Sequence, residues 1–109
     1  MHEYGILVPA IVWPLSQQEQ DTFDAKLADT LLAAFGGFTK VPGLQGAWRG
    51  PDGKLYLDAI VEYRIGISGL LRTAHNKARE VAYTIGRDLG EKAMYLRCPN
   101  GKVEIISTL

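Results

Sequence analysis

Apolar and polar residues alternate along the stretch from Leu55 to Ile65, which predicts a strand with two unlike faces. One face carries the apolar set Leu55, Leu57, Ala59, Val61, Tyr63 and Ile65. The other face carries the mixed set Tyr56, Asp58, Ile60, Glu62 and Arg64. The apolar set predicts contact with a core, and the mixed set predicts contact with water, a second subunit or a ligand.

Two segments have the three- and four-residue apolar spacing of amphipathic helices. The first runs from Gln17 to Phe35, and Ser16 with Glu19 predicts a capping box at its start. Ser68 predicts the cap of a second helix, which runs to Leu89 and ends at the glycine that follows.

The remaining apolar segments predict four more strands, at residues 3–13, 38–49, 93–98 and 103–106. Pro9 predicts a bulge or an unpaired position in the first, because proline cannot donate to a ladder. Pro42 and Gly43 predict an irregularity in the second. The turn at residues 50–54 predicts a hairpin, and the Asn-Gly pair at residues 100–101 predicts a two-residue hairpin near the end of the chain.

The order of these elements is β, α, β, β, α, β with an added C-terminal β-hairpin. Two β-α-β halves of this kind predict an α+β, ferredoxin-like antiparallel sheet with both helices on one face. The mixed face of strand 55–65 then belongs to the side that no helix covers. We expect one such domain over residues 1–109, a size that supports a single core.

Two runs of the sequence, FGGFTKVPGLQGAWRGPDGKLY and LGEKAMYL, carry further motifs. They resemble a bacterial family of small domains of unknown function that share GFT, GxW and aromatic-Gly-acidic/amide motifs before a final strand. The likeness covers roughly residues 35–98, and LGEK stands where the family has Phe-Gly-Gln. The resemblance implies a ferredoxin-like fold and no particular chemistry.

Charge and composition narrow the classes of partner. Twelve basic residues balance twelve acidic ones, which argues against nucleic acid or an anionic membrane as a partner. The run ILVPAIVW is too short to span a bilayer, and the amino terminus lacks the features of a signal peptide. With a single cysteine, Cys98, no internal disulfide can form. We expect a cytoplasmic protein with no cofactor.

The uncovered sheet face offers the candidate ligand or interface residues Trp48, Tyr56, Asp58, Ile60, Glu62, Arg64, Tyr95 and Arg97. Asp58 and Glu62 lie about 13 Å apart along an extended strand, too far for paired-carboxylate glycoside chemistry. We therefore expect these acids to pair with bases such as Arg64 or Arg97. The aromatic and arginine content is typical of an interface, and it predicts a homodimer through this face.

A second candidate set, on and near the second helix, predicts contact with an anion or an acidic partner through Arg49, Arg72, His75, Arg79 and Tyr83. Four of these lie on the helix side away from its apolar stripe, so the alternative is an ordinary solvated face. His2, His75 and Cys98 show no metal-ligand spacing, and no metal site is predicted.

No catalytic signature occurs in the sequence, which favours a non-enzymatic binding domain that docks or sequesters a small ligand or a protein through its open sheet. One alternative is an inhibitor or decoy that binds a host factor or nucleotide signal through the basic helix. A second is a small enzyme with the sheet as pocket floor and Asp58, Glu62, Tyr95 or His75 as acid or base.

Overall fold

The computed structural model describes residues 1–10 and 15–109. Along the chain its elements are β1 (His2–Pro9), α1 (Gln17–Phe35), β2 (Thr39–Arg49), β3 (Leu55–Ile67), α2 (Leu71–Leu89), β4 (Ala93–Arg97) and β5 (Val103–Ser107). This is the predicted βαββαβ order with one further strand.

The described strands form an antiparallel sheet in the order β2-β3-β1-β4-β5. The first four positions give the ferredoxin-like arrangement and confirm the predicted α+β fold. β5 extends the sheet as the second arm of a hairpin with β4, and pairs Leu96 with Glu104 and Tyr95 with Ile105. Glu104 therefore shares a face with Leu96, and Ile105 shares the opposite face with Tyr95.

Both helices pack on one face of the sheet, where the core lies. Its largest fully buried side chains are Tyr4, Ile6, Leu31, Ile65, Met94 and Leu96. The buried residues of α2 include three alanines, Ala74, Ala78 and Ala82. Side chains this small let the helix axis approach the sheet closely, which brings the polar residues at the margin of α2 within reach of β5.

The predicted boundaries of α1 are confirmed. Ser16 Oγ accepts a hydrogen bond from the Glu19 amide, and the Ser16 amide donates to Glu19 Oε1, each at 3.2 Å. This reciprocal pair satisfies two amides that the first turn leaves free. Gly36 ends the helix with a φ of 79°, a conformation that glycine adopts without a steric penalty.

The predicted start of α2 is wrong. Ser68 does not cap the helix, because Gly69 follows it with a φ of 100°, which is far from helical geometry. The helix instead begins at Leu71, and Leu70 occupies the N-cap without a side-chain hydrogen bond. The predicted stop at Gly90 is confirmed by its φ of 73°. Neither described helix combines the length and apolar character needed to cross a membrane.

The structure describes β1 over His2–Pro9, which covers most of the first predicted strand. The strand ends at Pro9, which lies opposite Ile60, and the Ala10 amide donates to the Ala59 carbonyl at 2.9 Å. Pro9 forms no bulge in the described part of the strand, since the register with β3 runs without a shift from His2 to Pro9. The rest of the predicted strand, residues 11–13, lies outside the described residues.

β2 and the first half of β3 form a ribbon that extends past the helices. A register shift between Val41 and Leu44 confirms the predicted irregularity at the intervening Pro-Gly pair. The prediction that Leu55 and Leu57 face the core is wrong, since they are 60% and 58% exposed. They lie on the helix side of the sheet, but burial of β3 begins only at Val61.

Candidate functional site

The uncovered face of the sheet holds the eight residues that alternation assigned to it. Strand register places on this face Trp48, Tyr56, Asp58, Ile60, Glu62, Arg64, Tyr95 and Arg97. Their shared side follows from the two-residue period of strands. Their role in contacting a ligand, and the homodimer through this face, stay predictions.

Glu62 is 4% exposed on this face, although both helices pack on the other. Arg64 Nε donates to Oε1 at 2.6 Å, and Arg97 Nε donates to Oε2 at 2.8 Å. Burial alone would raise the pKa of Glu62, but the hydrogen bonds from Arg97 and Arg64 outweigh burial and lower it. Glu62 is thus an anion at neutral pH, suited to holding the two arginines in place rather than to accepting a proton.

Gly5 provides the space that Glu62 occupies. A Cβ at Gly5 would lie 2.8 Å from Glu62 Cδ, and Gly5 itself sits between Arg64 and Arg97 in the strand register. Glu62 therefore crosses β1 to reach β4. Arg97 Nη2 also donates to Glu3 at 3.1 Å, so the ionic network covers β3, β1 and β4. The expected pairing with arginine is observed for Glu62, whereas Asp58 accepts a hydrogen bond from Trp48 instead.

The far end of the face, on the β2–β3 ribbon, carries a stacked aromatic pair. The rings of Trp48 and Tyr56 lie 4.7 Å apart between centroids at 20°. Trp48 Nε1 donates to Asp58 Oδ2 at 3.1 Å, and Tyr56 donates its hydroxyl to Asp52 Oδ2 at 2.6 Å. The Tyr56 hydrogen bond lowers the pKa of Asp52, and in turn raises the pKa of Tyr56. The hydrogen bond from Trp48 orients the Asp58 carboxylate through one of its two oxygens.

A groove of about 490 Å³, which we call the sheet groove, is lined by residues 7–9 of β1, 57–60 of β3, and 91 and 93–95 in and before β4. Its volume is in the usual range for small-molecule sites. The residues that give it chemical character are Leu7, Asp58, Ile60, Glu91 and Tyr95. The sheet groove thus offers an apolar floor, one aromatic ring and two carboxylates.

The structure does not bring together the five residues predicted to contact an anion. Arg49 lies on β2, at the edge of the sheet opposite β5, and donates to the Gly53 carbonyl at 2.8 Å. His75 and Arg79 both contact Glu104 of β5. The predicted solvated face of α2 is therefore partly covered, because the added strand widens the sheet beneath it. Arg72 and Tyr83 stay on the exposed side of α2.

His75 lies in a second groove, of about 800 Å³, between α2 and the β4–β5 hairpin; we call it the helix groove. Its Nδ1 is 3.3 Å from the Tyr4 hydroxyl, and its Nε2 is 2.8 Å from Glu104 Oε2. Cys98, which follows β4, is buried and lines the same groove. Burial raises the pKa of the Cys98 thiol, and the charge of Arg79 partly opposes this shift. Sequence reasoning missed this cluster.

The hairpin loop explains why the cluster was missed. The Cys98 amide donates to the Lys102 carbonyl at 2.8 Å, so three residues, not the predicted two, form the loop, and Gly101 takes a φ of 82°. A two-residue loop would shift the register by one and turn Glu104 to the uncovered face. The glycine after Asn100, in a left-handed conformation, is the signal that allows the longer loop.

No protein-family model matches the chain, and no curated protein matches it. Two solved structures are similar in fold. One is a phage SAM lyase in complex with S-methyl-5′-thioadenosine, with a TM-score of 0.65, 16% identity, and coverage of 97% of this chain and 88% of that chain. The other is a phage SAM lyase in the apo state, with a TM-score of 0.66, 15% identity and the same coverage.

These structures overturn the expectation of a non-enzymatic binding domain. That expectation rested on an open-sheet scaffold without a catalytic motif, and the same scaffold, matched over almost the whole chain, is the fold of an enzyme. The lack of a local motif was therefore a poor guide to whether this fold catalyses a reaction. By its architecture, this chain is similar to a small lyase.

Proposed function

We propose that this protein is a small enzyme that cleaves an adenosyl sulfonium compound, with S-adenosylmethionine (SAM) as the first candidate, in the sheet groove. The observation that carries the proposal is the match along 97% of the chain to a phage SAM lyase, one structure of which holds S-methyl-5′-thioadenosine. The proposal extends the sequence-based alternative of an enzyme whose sheet forms the pocket floor.

The chemistry of the sheet groove supports an adenosyl sulfonium ligand. Leu7 and Ile60 supply apolar surface, and Tyr95, which is 48% exposed, supplies a ring face on which a base can stack. Asp58 and Glu91 supply negative charge for the sulfonium cation. A ring face also attracts a ligand cation. One groove therefore meets two demands of such a substrate, a surface for the adenine ring and negative charge for the sulfonium.

Cleavage that yields S-methyl-5′-thioadenosine breaks the bond between sulfur and the aminobutyryl carbon. The bonding pair stays on sulfur, which leaves as a neutral thioether, so the step needs no general acid. The carbon is satisfied in one of two balanced ways. Either a base such as Asp58 removes a neighbouring proton and a double bond forms, or the substrate carboxylate attacks and closes a lactone ring. Glu62 holds Arg64 and Arg97 in place in both cases.

The test is incubation of the purified chain with SAM, followed by liquid chromatography and mass spectrometry. S-methyl-5′-thioadenosine should form faster than in protein-free buffer, with many turnovers per chain. The two co-products, vinylglycine and homoserine lactone, are isomers, and chromatography separates them. No excess product at equimolar protein would refute the proposal.

Two variants locate the reaction. Tyr95→Ala should weaken substrate binding by about tenfold, since stacking on an aromatic side chain contributes about 1–3 kcal/mol per base. Asp58→Asn should reduce turnover by removing charge next to sulfur. The matched control is Glu80→Gln, an acid on the exposed side of α2, which should leave the rate unchanged. Equal loss in all three variants would contradict a site in the sheet groove.

A further inference from the structure

Three potential metal ligands from different parts of the fold converge in the helix groove. His75 lies on α2, Cys98 follows β4 and Glu104 lies on β5, and their ligand atoms all lie within 4.8 Å of one another. A tetrahedral zinc site, with bonds of about 2.0 Å to nitrogen and about 2.3 Å to sulfur, spaces its ligand atoms about 3.3–3.8 Å apart. Side-chain movements of about 1 Å would bring these atoms to that spacing.

We propose that the protein binds one zinc-class divalent transition-metal ion through His75 Nε2, Cys98 Sγ and a Glu104 carboxylate oxygen. Imidazole, thiolate and carboxylate are the ligand types that zinc uses in proteins. This proposal does not depend on SAM cleavage, because the helix groove and the sheet groove share no lining residue.

The surroundings of these ligands resemble the supporting contacts of metal sites. A ligating histidine usually bonds its second ring nitrogen to an oxygen, and a ligating carboxylate is itself hydrogen-bonded. Here the Tyr4 hydroxyl lies 3.3 Å from His75 Nδ1, and Arg79 forms an ion pair with the other oxygen of Glu104. The Tyr4 contact orients the His75 ring, and the Arg79 ion pair orients the Glu104 carboxylate. As a result, His75 Nε2 and Glu104 Oε2 face each other.

Charge and access also favour a metal ion. A thiolate and a carboxylate together neutralise a divalent cation, and the neutral imidazole adds no charge. All three ligands line the helix groove, so a fourth position faces a space of about 800 Å³. Three protein ligands with one open position are typical of zinc sites that accept water or a substrate.

Proton balance gives the proposal a measurable consequence. Zinc binds cysteine as the thiolate, whereas a cysteine thiol usually keeps its proton at neutral pH. Metal binding displaces that proton. We therefore expect proton release of about one per ion, and affinity that increases with pH.

The test uses the full chain stripped with a chelator and titrated with Zn²⁺ by calorimetry and with Co²⁺ by absorption spectroscopy. One ion should bind per chain, and Co²⁺ should give a thiolate charge-transfer band. Cys98→Ser should abolish the band and weaken Zn²⁺ at least about tenfold, and Tyr4→Phe should weaken it about tenfold to a hundredfold. The Cys98 variant replaces sulfur with oxygen, so it preserves the packing of the groove.

The matched control is His2→Gln, because His2 lines the same groove and bonds to the Gly69 carbonyl at 2.9 Å. This variant should bind Zn²⁺ like the wild type. The proposal is overturned if the wild type binds no Zn²⁺, if Co²⁺ gives no charge-transfer band, or if Cys98→Ser binds Zn²⁺ as tightly as the wild type.

Discussion

Replacing Glu62 with glutamine should destabilise the protein by about 2 kcal/mol. Hydrogen bonds to charged groups contribute about 1.5–3 kcal/mol each, and Glu62 accepts one from Arg64 and one from Arg97. Glutamine keeps one acceptor oxygen but points an NH₂ group at the second guanidinium. Water can replace part of the loss, because the side chains of Arg64 and Arg97 are 47% and 30% exposed. The estimate is therefore below the sum of two such bonds.

Urea unfolding followed by circular dichroism measures this effect. In a separate thermal unfolding experiment, the same loss of about 2 kcal/mol should lower Tm by about 8–10 °C for a chain of this size. The matched control is Glu3→Gln, which removes the exposed partner of Arg97 and should cost about 0.5 kcal/mol. If the free energy of unfolding of Glu62→Gln lies within about 0.5 kcal/mol of the wild-type value, Glu62 contributes no more than an exposed ion pair does, and its assignment as a stabilising buried anion is wrong.

The same pair of proteins gives a pH test. The pKa of Glu62 in the folded protein is lowered below the ordinary value of a glutamate carboxyl, so the folded protein holds this proton less tightly than the unfolded chain does. The stability from Glu62 is thus fully present above that unfolded value, and is lost as pH falls through the folded pKa. The difference between wild type and Glu62→Gln should be constant near neutral pH and shrink in acid. A difference that grows in acid would contradict the assignment.

Three further substitutions test the fold. Gly5→Ala should destabilise by about 1–2 kcal/mol, since overpacking displaces the Glu62 carboxylate, and the cost should nearly vanish in a Glu62→Ala background, as a double-mutant cycle in urea will measure. Leu31→Ala should lower the free energy of unfolding by about 3 kcal/mol, because it leaves a cavity at a fully buried position. Ser16→Ala should lower the free energy of unfolding by about 1 kcal/mol, because it removes the hydroxyl that accepts a hydrogen bond from the Glu19 amide. A lower thermal unfolding midpoint than that of the wild type will show this loss.

Most of the fold could be predicted from the sequence, because the spacing of apolar residues and the residues that start and end helices are local features of the chain. The two-residue alternation from Leu55 to Ile65 placed Glu62 on the correct side of the sheet. It could not show that Glu62 crosses Gly5, because that contact depends on the register between β3 and β1. It also could not show that Leu57 is exposed, since burial is set by where the helices stop covering the sheet.

The candidate sites were harder to predict because each depends on long-range placement. The helix groove needs a three-residue loop at Asn100, and a two-residue loop would turn Glu104 away from His75. The sheet groove is lined by residues of β1, of β3 and of the segment around β4, so it depends on how these strands pair. Gly101 is a local signal for the loop, but no local signal shows which side chains either groove brings together.

Binding of an adenosyl compound in the sheet groove can be measured by a ¹H–¹⁵N NMR titration with S-methyl-5′-thioadenosine. Saturable amide shifts should concentrate at Leu7, Ile60 and Tyr95 around the groove, with His75 and Cys98 unaffected. Shifts confined to the helix groove, or no saturable shifts at millimolar ligand, would contradict the account.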